Sequence, residues 1–275
     1  MDLTNSPSPQ ILAESLLAFW ADVGVDCLYQ DEAIDRIAAG LRPPPRRIEP
    51  APIPSPAASA AGSKASDLEA AIAQARVLAG QAQDLAALAE AIAAFQGCPI
   101  RFDGAATKAV FSRGPADAPV MIIGEGPGAE EDARGEPFVG RAGQLLDRML
   151  DAAGLTNRTF ITNTVFWRPP GNRTPTLDEQ RVCAPFVERA ISLVRPRMLL
   201  LVGGASAKAM LKREEGILAM RGRWFEWRAE DENLELPAMP TLHPAFLLRQ
   251  PAAKKKAWSD LVSLVQRLDR PERPH

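Results

Sequence analysis

After Cys98, short apolar runs alternate along the chain with segments of helical periodicity. The runs that favour strands are residues 120–123, 160–165, 198–202, 223–227 and 239–242. The segments that favour helices are residues 144–153, 177–193, 205–212 and 254–268. Strands that alternate with helices predict an α/β fold with a mostly parallel sheet covered on both faces. Sites in such sheets lie at the carboxyl ends of the strands.

The first hundred residues have a different organisation. Helical periodicity marks residues 9–40 and 66–95, whereas residues 43–56 contain seven prolines and favour an extended linker. We therefore predict an N-terminal helical extension followed by one α/β domain. The predicted divisions are a helical segment at 1–40, a flexible Pro/Ala-rich linker at 41–65, a helix leading into the core at 66–96, the α/β domain at 97–270 and a tail at 271–275.

Composition excludes several classes of protein. Hydrophobic residues make up 46% of the chain and charged residues 24%, as in a soluble globular domain. The sequence contains no run of about 18 apolar residues, the length that a membrane span needs, and the N-terminus lacks a signal-peptide pattern. Three scattered cysteines (Cys27, Cys98 and Cys183) are too few for a disulfide framework. We expect a cytoplasmic protein without a membrane partner.

Charge is distributed unevenly along the chain. Residues 1–100 carry 6 Lys and Arg against 12 Asp and Glu, whereas residues 101–275 carry 26 against 22. Only the second part leans toward an anionic partner such as nucleic acid. Two separately solvated surfaces would explain the same numbers, so charge alone leaves both interpretations open.

The first candidate strand ends in a glycine-rich loop, Gly124-Glu125-Gly126-Pro127-Gly128. Such a loop lets the backbone approach a ligand closely. A tight turn into a helix is one alternative, and a dinucleotide fingerprint of the type G-x-G-x-x-A is another. Against the fingerprint, Pro127 lacks an amide, and three acidic residues at 130–132 would face the pyrophosphate.

Asn163, His243 and Phe138 are further candidate site residues. The amide of Asn163, at a strand end, offers a donor and an acceptor that suit the edge of a nucleobase, although such residues often only form turns. His243 precedes a proline and is the only histidine besides His275, so it is either a structural or a catalytic histidine. Phe138 is flanked by glycines and Arg141, which favours an exposed loop with a stacking face over a core position.

Five segments carry a family resemblance when taken in order: GEGPGAEED, GEPFVGRAGQLLDRML, ITNTVFWRPPGNRTP, LVGGASAKAML and LHPAFLLRQP. Together they resemble the uracil-DNA glycosylase superfamily, and its family 4 branch in particular, over about residues 95–270. The resemblance implies a three-layer α/β/α sandwich, in agreement with the alternation of strands and helices. The first hundred residues fall outside it.

The resemblance also implies a role for each site residue. Glu125 and the backbone of Gly126 would lie near the attacking water, and Phe138 would stack on the uracil ring. Asn163 would read the polar edge of the uracil, and His243 would hydrogen-bond the oxygen that gains charge. The DNA-binding residues implied are Arg168, Arg173, Phe246, Leu248 and Arg249, with 246–249 entering the duplex.

The implied activity is hydrolysis of the N-glycosidic bond of a flipped-out uracil in DNA, which leaves an abasic site for base excision repair. The partner is uracil-containing DNA, single- or double-stranded, and we expect a monomer. The enzyme would be monofunctional, because no lysine lies where a Schiff base would form.

One family feature is incomplete in this sequence. Family 4 members typically hold a [4Fe–4S] cluster on four cysteines, and here only Cys98 and Cys183 match those positions. Phe95 and Trp167 occupy the other two, and Cys27 has no matching context. Two thiolates are too few for ordinary cluster ligation. We therefore expect no cofactor or metal, and we expect Phe95 and Trp167 to fill the volume of the cluster.

Two other functional hypotheses remain at this stage. The chain could be a glycosylase-like module that binds DNA with weak or no activity, because cluster ligands are missing. Less favoured is a nucleotide-binding enzyme that uses the G-x-G-x-x-A loop. For the N-terminal helical segment, docking on the core, binding a protein partner and floating on the linker all remain open.

Overall fold

The computed structural model describes residues 57–230 and 234–270, with side chains from residue 66 onward. The predicted helix at 9–40, most of the predicted linker, Cys27 and the tail at 271–275 lie outside the described residues. The predictions made for those segments therefore stay predictions.

In the described part of the chain, five strands form one sheet. They are β1 (Val120–Gly124), β2 (Thr159–Asn163), β3 (Met198–Val202), β4 (Phe225–Arg228) and β5 (Glu235–Thr241). Their order across the sheet is β2-β1-β3-β5-β4, and only β4 runs antiparallel to its neighbour. β1, β2 and β3 are buried along their whole length. Apolar residues dominate β1 and β3 for that reason, whereas β2 also buries the polar residues Thr159, Thr162 and Asn163.

Helices cover both faces of this sheet. They are α1 (Ala57–Gln81), α2 (Leu85–Ala94), α3 (Ala129–Arg134), α4 (Arg141–Ala152), α5 (Leu177–Val194), α6 (Gly204–Leu211), α7 (Ile217–Met220), α8 (Pro244–Arg249) and α9 (Lys254–Leu268). Alternate β1 side chains enter different cores: Met121 and Ile123 pack with α1, α2 and α5, whereas Val120 and Ile122 pack with α4 and α9. The predicted three-layer α/β/α architecture is confirmed. None of the described helices has the length and apolar character that a membrane span requires.

The predicted helix at 66–96 is two helices. The chain breaks between α1 and α2, where the Asp84 side chain accepts a hydrogen bond from the Ala87 amide at 2.8 Å and caps α2. The Arg189 guanidinium donates to the open carbonyl of Ala82 at the end of α1. The predicted linker boundary at residue 65 is also wrong, because α1 begins at Ala57. Alanine has the highest helix propensity, which explains why this alanine-rich stretch is helical.

Candidate active site

The carboxyl edge of the parallel sheet carries the residues that the sequence singled out. Gly124 is the last residue of β1 and is in register with Asn163, the last residue of β2. β5 ends at Thr241, just before His243. Because β1, β2 and β5 run in the same direction, Glu125, Asn163 and His243 lie at one edge of the sheet.

Gly124 allows the side chains of Asn163 and Phe138 to pack against the end of β1. A Cβ atom at this position would overlap the side-chain oxygen of Asn163 and would lie 2.5 Å from Cζ of Phe138. The glycine is therefore required by close approach of the two side chains. Phe138 and Asn163 consequently line the same small volume.

Phe138 is buried, with 5% of its surface exposed, so the prediction of an exposed stacking loop is wrong. Its backbone is left-handed, with a φ of 55°, a conformation that costs a bulky residue about 1–3 kcal/mol. Gly143 of α4 lies directly against the Phe138 carbonyl, which leaves no room for a Cβ there. This packing turns the ring inward, and its centroid lies 5.8 Å from that of His243 with 32° between the rings.

Asn163 is 1% exposed, and its Oδ1 atom lacks a hydrogen-bond partner. Among the described residues it is the one buried side-chain nitrogen or oxygen in that condition. An unpaired buried acceptor costs about 1–3 kcal/mol, so native structures rarely keep one without a reason. The Oδ1 atom of Asn163 can therefore accept a hydrogen bond from an N–H group of a ligand.

His243 is a neutral imidazole whose free nitrogen can act as a donor. Burial and, to a smaller extent, the nearby Arg249 lower the pKa of His243 to about 4, although Glu131 opposes the shift. The Nδ1 atom accepts a hydrogen bond from the Ala245 amide at 3.1 Å, so it carries no proton. In the neutral ring the proton is therefore on Nε2, which becomes the donor at the end of β5.

The glycine-rich loop packs against the residues that follow β2. The Thr164 hydroxyl donates to the Glu125 carbonyl at 2.7 Å, and the Thr164 amide donates to the Gly124 carbonyl at 2.9 Å. A Cβ atom on Gly126 would lie 2.9 Å from the Val165 side chain. The Glu125 side chain is half-buried beside this contact. The loop therefore holds a carboxylate and a close backbone approach next to the Phe138–Asn163 pair.

The nucleotide-binding alternative is disfavoured by the N-terminus of α3. The Glu131 carboxylate accepts a hydrogen bond from the Gly128 amide at 3.1 Å, so the chain's own anion occupies the position a pyrophosphate would need. Asp132 is buried there as well and accepts from the amide and the hydroxyl of Thr107. Both carboxylates would repel a bound phosphate.

Two residues that contact the Phe138 loop were missed by sequence reasoning as site residues. The sequence pattern marks Glu131 only as a negative charge, although its place three residues after the N-cap of α3 is the position of a capping-box acid. Arg113 precedes β1, and nothing in the local sequence distinguishes it from other surface arginines. The guanidinium of Arg113 reaches the carbonyls of Pro137 and Phe138.

The two predicted DNA-binding arginines differ in their surroundings. The Arg168 guanidinium donates to Asn172 at 2.7 Å within the same loop. Arg173 forms two hydrogen bonds with Glu179, at 2.8 and 2.7 Å, and this pairing lowers the pKa of that carboxyl. Glu179 caps α5 in turn, so Arg173 has a structural role whether or not it meets DNA. The DNA contacts of both arginines stay predictions.

The segment predicted to enter the duplex, residues 246–249, is the second half of α8, whose N-cap is His243. Its Leu247 is buried, whereas Phe246 and Leu248 are half-buried and pack against a small cluster with Leu145 and Ala257. Arg249 is exposed at the end of the helix. The short helix places these side chains beside the neutral imidazole, and their insertion into DNA stays a prediction.

The residues at the cluster positions do not fit an iron–sulfur cluster. Cys98 and Cys183 are fully buried with their Sγ atoms 3.9 Å apart, and burial raises the pKa of the Cys183 thiol. Phe95 and Trp167 are also buried, with ring centroids 6.5 Å apart, and Phe186 packs at 5.2 Å from Phe95. Phenyl and indole rings offer iron no ligand atom, so the four-thiolate set is incomplete.

A cavity of about 580 Å³ lies beside this site, between α1, α5 and α6. Thr164 lines it, but Glu125, Phe138, Asn163 and His243 do not. Several of its charged side chains pair with one another: Arg76 with Glu230, Arg181 with Glu69 and Lys208 with Glu214.

The fold and the strand-end site define an α/β enzyme with an aromatic ring, a buried amide and a neutral histidine at one edge of its sheet. The family model of the uracil DNA glycosylase superfamily matches residues 111–262. The chain belongs to this superfamily. The resemblance seen in the five sequence segments is thereby confirmed.

Similar proteins include several type-4 uracil-DNA glycosylases. One from Pyrobaculum aerophilum is 39% identical over 184 residues, which cover 65% of this chain and 92% of that protein. Another from Sulfurisphaera tokodaii is 35% identical over 173 residues, which cover 61% of this chain and 78% of the other. A type-5 uracil-DNA glycosylase from Pyrobaculum aerophilum is 32% identical over 115 residues, half of its own length.

Proposed function

We propose that the chain is a monofunctional uracil-DNA glycosylase that hydrolyses the N-glycosidic bond of a flipped-out uracil in DNA. The observation that carries the proposal is the buried, unpaired Oδ1 atom of Asn163, which packs against Gly124 as the Phe138 ring does. The names of the similar type-4 proteins support the same activity. The product is an abasic site, so the reaction belongs to base excision repair.

Phe138 and Asn163 have different roles in recognition of the uracil. Extrusion of a base from a duplex costs a few kcal/mol, and stacking on Phe138 returns about 1–3 kcal/mol of that. The N3–H of uracil supplies the donor that Asn163 Oδ1 lacks, and the neighbouring O4 accepts from the amide nitrogen. Thymine carries a methyl group at C5, which the tight packing around Gly124 would have to accommodate.

Bond cleavage requires stabilisation of charge on both fragments. The bonding pair leaves with the uracil, so negative charge develops on its O2 while C1′ of the sugar becomes oxocarbenium-like. The Nε2–H of His243 donates to that developing oxyanion without transferring its proton. Water adds to C1′, and its proton passes to the Glu125 carboxylate, which also offsets the positive charge on the sugar.

The position of Lys208 favours hydrolysis by water over attack by an amine nucleophile. A Schiff-base mechanism needs a lysine at the reacting carbon. Lys208, in one of the family segments, lies on α6 and pairs with Glu214 at 3.7 Å. The abasic strand should therefore stay intact until alkali is added.

The test is single-turnover excision on a labelled oligonucleotide with one uracil, followed by alkali. We expect cleavage at the uracil position only after alkali, in both single- and double-stranded substrates, and none when thymine replaces uracil. Strand breakage without alkali would contradict a monofunctional mechanism. Failure of folded protein to release uracil, together with retained DNA binding, would favour the binding-module alternative.

We also propose that the enzyme works without a [4Fe–4S] cluster. The side chains of Phe95, Trp167 and Phe186 fill the region that a cluster would occupy, and Cys98 and Cys183 supply only two thiols. Purified protein is expected to contain far less than one iron per chain and to keep its activity after treatment with an iron chelator. Iron at four atoms per chain, measured on the same active sample, would contradict this proposal.

A further inference from the structure

The loop that carries Phe138 is held on one side by Glu131 of α3. The Glu131 Oε1 atom accepts hydrogen bonds from the amides of Val139 at 3.0 Å and Gly140 at 2.9 Å. Its Oε2 atom accepts from the amide of Gly128, at the end of the glycine-rich loop. One carboxylate therefore ties the stacking loop to the loop that carries Glu125.

Arg113 holds the same loop from the other side. Its Nε atom donates to the Pro137 carbonyl at 2.8 Å, and its Nη2 atom donates to the Phe138 carbonyl at 3.2 Å. The Nη2 atom also pairs with Asp147 of α4 at 2.6 Å. The planar guanidinium can serve these acceptors at once because its N–H groups point in fixed directions.

The backbone of Arg113 is fixed to the strand that carries Asn163. The Arg113 amide donates to the Ile161 carbonyl at 3.0 Å, and the Ile161 amide donates back at 2.8 Å. This isolated bridge lies two residues before Asn163 on β2. Arg113 therefore connects β2, the strand that carries Asn163, with the loop that carries Phe138.

We infer that Arg113 is a positioning residue that sets the distance between the Phe138 ring and the Asn163 amide. The left-handed backbone of Phe138 is unfavourable for an aromatic residue, so it persists only while neighbouring groups hold it. Arg113 supplies this restraint from a framework that is itself part of the sheet. The inference rests on the proposed function, because a flipped uracil is the ligand that this spacing would fit.

Arg113→Lys tests the inference, because lysine keeps the charge and loses the two-pronged donor. We expect the single-turnover excision rate to fall about 10- to 100-fold, since small misplacements of a binding group have effects of that order. Inhibition by free uracil is expected to weaken by about as much. Binding to a duplex with a stable abasic-site analogue, which has no base to stack, is expected to stay within about twofold of wild type.

Two further variants keep the test specific. Arg158→Lys alters another arginine near the start of β2, which is partly exposed and paired with Asp269, and is expected to match wild type in every assay. Asp147→Asn removes the carboxylate that orients the Arg113 guanidinium and is expected to reproduce part of the loss. If Arg113→Lys fails to fold, Asp147→Asn alone is compared with wild type, because the Asp147 side chain is half exposed and its substitution should leave the fold intact.

Amide hydrogen exchange of the unliganded protein gives a readout that does not depend on activity. We expect the Val139 and Gly140 amides to exchange at least about tenfold faster in Arg113→Lys, while the amides of α5 stay unchanged.

Wild-type exchange and wild-type excision in this variant would overturn the inference. An equal, strongly salt-dependent loss of binding to uracil and abasic duplexes would overturn it too, in favour of a phosphate contact. If wild-type protein releases no uracil, the exchange result still decides the inference while the proposed function fails.

Discussion

Replacement of His243 by alanine is expected to slow single-turnover excision of uracil about 100- to 1000-fold, the usual effect of removing one donor to a developing oxyanion. The neutral ring presents Nε2–H because Nδ1 is committed to the Ala245 amide. Alanine removes this donor and the cap that Nδ1 provides to α8. The measurement is the maximal rate of uracil release at saturating enzyme, which separates the chemical step from DNA binding.

His275→Ala is the matched control, since His275 is the only other histidine in the chain. We expect it to behave as wild type. The His243→Ala variant is expected to bind a uracil-containing duplex within about tenfold of wild type, because most of the affinity comes from phosphate contacts. A rate within threefold of wild type for His243→Ala would remove His243 from the mechanism.

The pH dependence of the wild-type rate follows from the same imidazole. The pKa of about 4 lies below the ordinary value of 6.5, so His243 stays neutral as pH falls through 6.5 and becomes charged only near 4. For the same reason, the stability that the neutral ring contributes is complete above pH 6.5 and is lost as pH falls toward 4. We expect no inflection of the excision rate near pH 6.5. A rate that rises as pH falls through 6.5 would indicate a protonated donor instead.

Asn163→Asp is expected to lower the excision rate about 100- to 1000-fold, which corresponds to about 3–4 kcal/mol. The two side chains have nearly the same shape, so packing against Gly124 and Phe138 is kept. The carboxylate, however, has no N–H for the O4 oxygen of uracil and places a negative charge next to it. Single-turnover excision measures the loss, and free uracil is expected to lose its ability to inhibit the variant.

Asn157→Asp is the matched control for this substitution. Asn157 is exposed in the turn before β2, and its left-handed backbone, with a φ of 58°, suits aspartate as well as asparagine. We expect wild-type excision from it. Equal activity of Asn163→Asp and wild type would mean that the buried amide does not read the uracil edge.

Much of the fold could be predicted from local patterns. β3 begins and ends where its apolar run does, and β1 extends that run only to Gly124, because strands buried on both faces consist of continuous apolar residues. The long N-terminal helix was harder to predict. Its break near Asp84 depends on a cap and on Arg189 of a distant helix, whereas alanine-rich sequence on both sides favours continuous helix.

The candidate site shows the same division between local and distant information. Gly124, Asn163 and His243 could be singled out because each lies at the end of an apolar run. The burial of Phe138 could not be inferred, since flanking glycines and an arginine are typical of an exposed loop. Its position depends on contacts with Gly143, Arg113 and Glu131, which come from three separate segments.

The sequence by itself determined the alternation of strands and helices, the residue types at the strand ends and the loss of two cluster ligands. These properties depend on neighbours along the chain, so they can be inferred from spacing and chemistry. Only the tertiary structure decided that His243 is neutral, that Asn163 keeps an unpaired oxygen and that Arg113 holds the stacking loop. The physical reason is that desolvation and hydrogen bonding depend on groups that folding brings together from distant parts of the chain.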